Sequence, residues 1–254
     1  MRIDTMKKKL AFILIVLAVG AVSGCAPKKD AYLPAPVYFE KGMSSYFAGM
    51  YGESETNFKA ILESDPLSPE AVEAMLILAD VYYTKEEYES AALYYTNFYS
   101  MHPGHPRAEY ALFQKGMSNF LEMGPVDRDL ASAKKALIAF EDLTRDYPGG
   151  VYAPKAADMV VFIKKRLAEN ELIVGRFYLK AKNYKGALLR FGYLLDQYPD
   201  SGFSDSALFF IGETYGKLGE TRLADEAYLS LVNSYPESRY VSKARNRISA
   251  QQGS

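Results

Sequence analysis

The chain is 254 residues long, 49% hydrophobic, with 21 Tyr, 14 Phe and no Trp, and its 30 basic and 31 acidic side chains give a formal net charge of −1. Setting aside residues 1–24, with Arg2, Lys7, Lys8, Lys9 and Asp4, leaves 26 basic and 30 acidic residues, a net charge of −4 that argues against nucleic acid as a partner. The single cysteine, Cys25, excludes an intrachain disulfide, so packing alone must hold the fold in an oxidising compartment.

Residues 1–24 place Lys7, Lys8 and Lys9 before the apolar run Leu10 to Val22, which is 13 residues long. That is short of the ~20 residues a spanning helix needs, and the order is that of a signal peptide. Val22, Ser23, Gly24 and Cys25 resemble a bacterial lipobox, which implies that Cys25 is lipidated and becomes the first residue of the mature chain. Several acyl chains on one residue anchor stably where one alone binds marginally. Ala26 after the cysteine implies export to the outer membrane. Residues 25–36, with three prolines and two lysines, are expected to form an extended tether.

From residue 37 a repeat dominates. YPGGVYAPKA from Tyr147, YPDSGFSDSA from Tyr198 and YPESRYVSKA from Tyr235 share Tyr-Pro, an aromatic five residues on and Ala nine on. Upstream of each proline lie Ala, an aromatic and an apolar residue at fixed offsets: Ala91, Tyr95, Phe98; Ala136, Phe140, Leu143; Ala187, Phe191, Leu194; and Ala224, Tyr228, Leu231. A first unit has Ser54, Phe58, Ile61 and Pro66. These are the second helices of tetratricopeptide repeats. The expected fold is all-α, a tetratricopeptide-repeat superhelix of about five helix-turn-helix units over 37–67, 68–104, 105–149, 150–200 and 201–237, capped by a helix over 238–252. Gly42, Ala79, Gly116, Gly175 and Gly212 on the first helices let the second helices approach closely, and Tyr46, Tyr82, Tyr178 and Tyr215 read as core aromatics at helical spacing.

The repeat prolines are 37, 45, 51 and 37 residues apart, so two units are enlarged. In the third, LEMGPVDRDL separates the two helices, and Gly124-Pro125 marks a loop. In the fourth, the stretch from Ala156 to Asn183 runs without Gly-Pro punctuation and predicts one helix of ~40 Å that projects past its neighbours.

Chemistry is sparse. His102 and His105 share the turn HPGHP, with only Glu109 and Asp80 as further candidate ligands, too few for a metal site. The phosphate-loop, dinucleotide, nucleophile-elbow and zinc-helix motifs are all missing. Neither a catalytic residue nor a cofactor is expected, and the chain reads as a non-enzyme.

The lipobox, the five repeats, HPGHPRAEYALFQKGM from His102, the VDRD loop at Val126 to Asp129, and Lys164 to Pro199 together resemble the BamD family of outer-membrane protein assembly factors. The resemblance covers essentially the whole mature chain. It implies a lipid-anchored scaffold on the periplasmic face of the outer membrane, docked to the POTRA domains of the barrel subunit BamA and joined by other assembly lipoproteins. It implies Arg190 and Arg128 as contacts to BamA, and a groove in the N-terminal repeats, with Tyr46, Tyr82 and Tyr110 as candidates, for unfolded β-barrel proteins. The sequence departs from the family at Asp65 to Glu70, where a Tyr-Pro with a following aromatic is usual. The alternative reading is another repeat lipoprotein, such as a pilotin for a secretin or pilus.

Overall fold

A computed structural model describes residues 33–125 and 130–252. Among these it contains eleven helices: α1 (Ala35–Phe47), α2 (Tyr51–Ser64), α3 (Pro69–Thr84), α4 (Tyr88–Met101), α5 (Ala108–Leu121), α6 (Ala131–Asp146), α7 (Ala153–Lys180), α8 (Tyr184–Gln197), α9 (Ser204–Leu218), α10 (Thr221–Ser234) and α11 (Val241–Gln252). Each packs chiefly on the helix before it and the helix after it, giving five helix pairs and a final helix: an all-α tetratricopeptide-repeat superhelix. The helix α1 begins inside the stretch expected to be tether, because Pro36 falls in its first turn, where no backbone N–H is needed.

The repeat prolines end the second helices. Asp65, His102, Tyr147, Tyr198 and Tyr235 each still donate a backbone N–H to the carbonyl four residues back. Each precedes a proline, whose ring pushes the preceding residue out of helical geometry, and their φ values run from −146 to −129°. The chain then turns into the next first helix.

What holds a pair together is one contact used repeatedly. The rings of Phe58, Phe140, Phe191 and Tyr228 lie over Gly42, Gly116, Gly175 and Gly212, so closely that an added Cβ would come within 2.8 Å or less of a ring carbon. All four rings are at most 1% exposed. Ser54, which stands where the other units have Ala, buries its hydroxyl without penalty by donating to the Gly42 carbonyl at 2.9 Å.

The turn inside a repeat also recurs. Seven residues after the small residue, Gly49, Glu86, Lys182 and Gly219 all adopt positive φ, between 61 and 78°. Two are glycine, which bears that geometry at no steric cost; two are not. In the third repeat the inserted loop replaces this turn.

The helix α7 is a single element of 28 residues, roughly 42 Å long, as the uninterrupted sequence predicts. Its start is fixed from α5: Glu109 Oε1 accepts the Tyr152 N–H at 2.7 Å, a carboxylate set at a helix N-terminus where the dipole favours it. Arg166 donates to the Gly124 carbonyl at 2.9 Å, tying the middle of α7 to the loop after α5. Among the described residues no helix is long and apolar enough to cross a membrane.

Candidate protein-interaction surfaces

The N-terminal repeats gather their polar chemistry on Asp80. Its Oδ1 accepts the Tyr95 hydroxyl from α4 at 2.5 Å and the Tyr110 hydroxyl from α5 at 2.7 Å, so one carboxylate on α3 joins three helices. Burial pushes the Asp80 carboxyl above its ordinary 3.8, and the two phenols only partly oppose that. Burial raises Tyr110 as well, with the Asp80 charge adding to it, and Tyr46 is raised by burial and then by Asp80. Tyr110 continues into an aromatic row, 6.1 Å from Tyr152, which stacks on Phe113 at 4.8 Å. Tyr46 and Tyr110 are thus two partly exposed tyrosines on first helices, both within the field of one partly buried acid.

Tyr82 is placed differently. It is 5% exposed and points into the seam of α2, α3 and α4, where its hydroxyl donates to Glu55 Oε1 at 3.0 Å and its ring stacks on Tyr94 at 5.3 Å. Lys59 and Lys85 stand over the ring, each 5.5 Å from its centroid, and both pair with Glu55 at 2.7 Å. Little of Tyr82 is left to present to a peptide. It closes a charged seam between α2, α3 and α4, whereas Tyr46 and Tyr110 stay partly exposed.

On the fourth repeat, Arg190 of α8 reaches Glu171 of α7 at 3.2 Å. Glu171 is 6% exposed, whereas the Arg190 side chain is 44% exposed. A buried carboxylate therefore holds one edge of the guanidinium and leaves the rest facing outward. Burial works against the cation, but the bonds to Glu171 and Tyr178 outweigh it and set Arg190 above its ordinary range. A positioned, half-exposed arginine is suited to a bidentate bond with an incoming carboxylate.

The remaining candidates separate. His105 lies 3.3 Å from Glu73 and packs edge-on to Phe98, and His102 caps α4; Glu109 and Asp80, the other ligands considered, are engaged at Tyr152 and at the two tyrosines. Among the described residues no three His, Cys, Asp or Glu side chains converge on one point. Cys25 and Arg128 lie outside the described residues.

Sequence reasoning missed the acids that organise these surfaces. A signal was there to find. Where the second-helix aromatic is Tyr rather than Phe, at Tyr95 and Tyr228, the residue after the first-helix small residue is an acid, Asp80 or Glu213, and the phenol donates to it at 2.5 or 2.8 Å. The three Phe units have Met43, Met117 and Arg176 there.

Stacked helix pairs, with partly exposed tyrosines and a positioned arginine on their surface, define a tetratricopeptide-repeat array. The profile of the YfiO family, described as "Outer membrane lipoprotein", matches residues 33–229, and the chain belongs to that family. It is a non-catalytic lipoprotein of the outer membrane. Similar proteins are named "Outer membrane protein assembly factor BamD". The one from Caulobacter vibrioides is 28% identical over 236 residues, covering 90% of this chain and 77% of its own. That from Rickettsia prowazekii is 29% identical over 242 residues, 93% of this chain and 95% of its own, and that from Haemophilus influenzae 29% over 230 residues, 86% and 87%. The solved tetratricopeptide-repeat domain of P58(IPK) aligns with a TM-score of 0.43 at 16% identity, over 86% of this chain and 55% of that one; the repeat assignment rests on the helix pairs themselves.

Proposed function

We propose that this protein is the scaffold subunit of the machine that assembles β-barrels in the outer membrane, held on the periplasmic face by lipid on Cys25. The fourth repeat docks the POTRA domains of the barrel subunit through Arg190, other assembly lipoproteins join the array, and the N-terminal groove around Tyr46, Asp80 and Tyr110 receives a segment of an unfolded barrel protein. The observation that carries this reading is similarity, over nine-tenths of the chain, to proteins named for outer-membrane protein assembly. Physically, an open row of aromatic and hydrogen-bonding side chains suits an extended segment, since many modest contacts add up without a deep pocket and release remains fast. Arg128, in the inserted loop, is a second candidate contact to the barrel subunit.

The test is a calorimetric titration of residues 26–254 against the POTRA domains of the same organism. Saturable binding by the parent protein, lost in Arg190→Leu at an unchanged fold, supports the docking site. Binding by both moves the interface elsewhere on the array. No binding by either, together with binding to a secretin tail, makes the protein a pilotin instead.

A further inference from the structure

The second helices α2, α4, α8 and α10 are each 14 residues long. The spacing from Pro148 to Pro199 exceeds that from Pro199 to Pro236 by the same 14 residues, and the surplus lies in α7, whose 28 residues compare with 13 to 16 in the other first helices. Fourteen residues at 100° each bring a helix back to within about 40° of the same face. Phe177 therefore stands close to the face that Ile163 presents fourteen residues earlier, while Gly175, about 200° round the helix from Phe177, faces α8. Ile163, in the first half, is fully buried in the core shared with α6; Gly175, in the second, lies under Phe191 of α8. The offset leaves a place one second helix long beside the C-terminal half of α7, on the side turned away from α8.

Comparison along the repeats identifies what belongs there. The residues two before and two after the first-helix small residue face the preceding second helix. In α3 these are Ile77 and Val81, 8% and 0% exposed, Ile77 in one core with Phe58 and Ile61 of α2; in α5 and α9 the later member, Ser118 or Thr214, is fully buried. In α1, the first helix among the described residues, they are Glu40 and Ser44, polar and exposed. In α7 they are Ile173 and Phe177, apolar yet 41% and 65% exposed. A face meant for water would read like that of α1. Lys180 lies on the same face and Lys182 in the following turn, both exposed; the carboxylates nearby are Glu169, a turn before Ile173, and Glu213 of α9, which Tyr228 and Arg247 already engage, while Arg176 stands over the Phe210 ring of α9 at 5.1 Å.

We infer that the face of α7 carrying Ile173 and Phe177 receives an α-helix from a partner protein, about four turns long, apolar along one side and acidic along its edges. The helix takes the position that a second helix occupies against the other inner helices, with its acids meeting Lys180 and Lys182. Gly175 and α8 separate this face from Arg190, so it is a second contact surface, independent of the docking site proposed above.

The chain supplies a probe of the right chemistry. The helix α2 shares a core with Ile77 through Phe58 and Ile61 and carries Glu53, Glu55 and Glu63 against Lys59. A fluorescein-labelled synthetic peptide of residues 51–64, side-chain crosslinked because isolated helices this short are marginal, is titrated by anisotropy with the full mature protein in detergent. The expected result is saturable binding, weakened tenfold or more in Phe177→Glu and in Ile173→Glu, weakened by added salt, and unchanged in Leu189→Glu, an exposed apolar position on α8. Equal affinity in Phe177→Glu, or no saturable binding by the parent protein, overturns the proposal. Sedimentation of the protein alone tests the other occupant: self-association abolished by Phe177→Glu makes a second copy the partner and overturns it too.

Discussion

The ring of Phe191 lies so close over Gly175 that a Cβ on the glycine would stand 2.4 Å from Cε1. Neither side has room to give, because Phe191 is fully buried and its ring stacks 5.7 Å from Phe210 of the next helix. Gly175→Ala is expected to cost about 1–3 kcal/mol by overpacking. Phe191→Leu in the Gly175→Ala background should recover part of that loss although Phe191→Leu alone destabilises. Denaturant melts of the four proteins check the cycle, and additive losses would show that the two residues do not share one space.

The Asp80 carboxylate gives the stability of the N-terminal repeats a pH dependence of defined sign. Its folded value lies above its ordinary 3.8 because burial disfavours the charge, so the folded state holds the proton more readily than the unfolded chain. Stability from this group is gained as pH falls through the folded value toward 3.8, and is lower at neutral pH. Asp80→Asn, which keeps an acceptor for Tyr95 and Tyr110, removes that dependence. The stability difference between the parent and Asp80→Asn should shift in favour of the parent as pH is lowered from 7 toward 4, read by melts at each pH. Asp80→Ala leaves the buried Tyr95 hydroxyl without its acceptor and should cost about 1–3 kcal/mol at all these values.

Glu55 behaves in the opposite sense. Burial pushes its carboxyl up, but the bonds from Lys59, Lys85 and Tyr82 together win and bring it down to about 2 from an ordinary 4.5. Its contribution is present above pH 4.5 and is lost as pH falls through about 2. Glu55→Gln should therefore be less stable than the parent at pH 6, with the gap closing below pH 4. A gap that stays constant with pH would mean that the α2–α3 seam is held by packing of Tyr82 alone.

Much of this was legible in the sequence, for physical reasons that differ by element. Small residues and aromatics at fixed offsets identify the helix pairs because close approach of two helices tolerates only Gly or Ala opposite a ring. The length of α7 was legible because nothing between Ala156 and Asn183 breaks a helix. The direction of a tyrosine was legible only in part: Tyr46 and Tyr82 both read as core at helical spacing, and Tyr82 is buried, its hydroxyl on Glu55, a residue 27 positions away that shares no motif with it, whereas Tyr46 stays partly exposed. Nor was Glu171 apparent, because a carboxylate is normally exposed and its burial beneath Arg190 depends on two helices meeting.

The intra-repeat turns offer a stabilising change that separates backbone strain from charge. Lys182 adopts φ of 61° at the position where the first and last repeats have Gly49 and Gly219 at 73 and 78°. A side chain in this left-handed region costs about 1–2 kcal/mol, while glycine gives back about 0.4–1 kcal/mol through the greater freedom of the unfolded chain. Lys182→Gly should therefore stabilise by about 0.5–1 kcal/mol, and Glu86→Gly, which shares the same φ, by a similar amount. Lys182→Ala removes the charge but keeps the Cβ in its strained position, so it should not stabilise. Equal gains from Lys182→Ala and Lys182→Gly in thermal melts would assign the effect to relief of repulsion among Lys180, Lys182 and Lys185 rather than to the backbone.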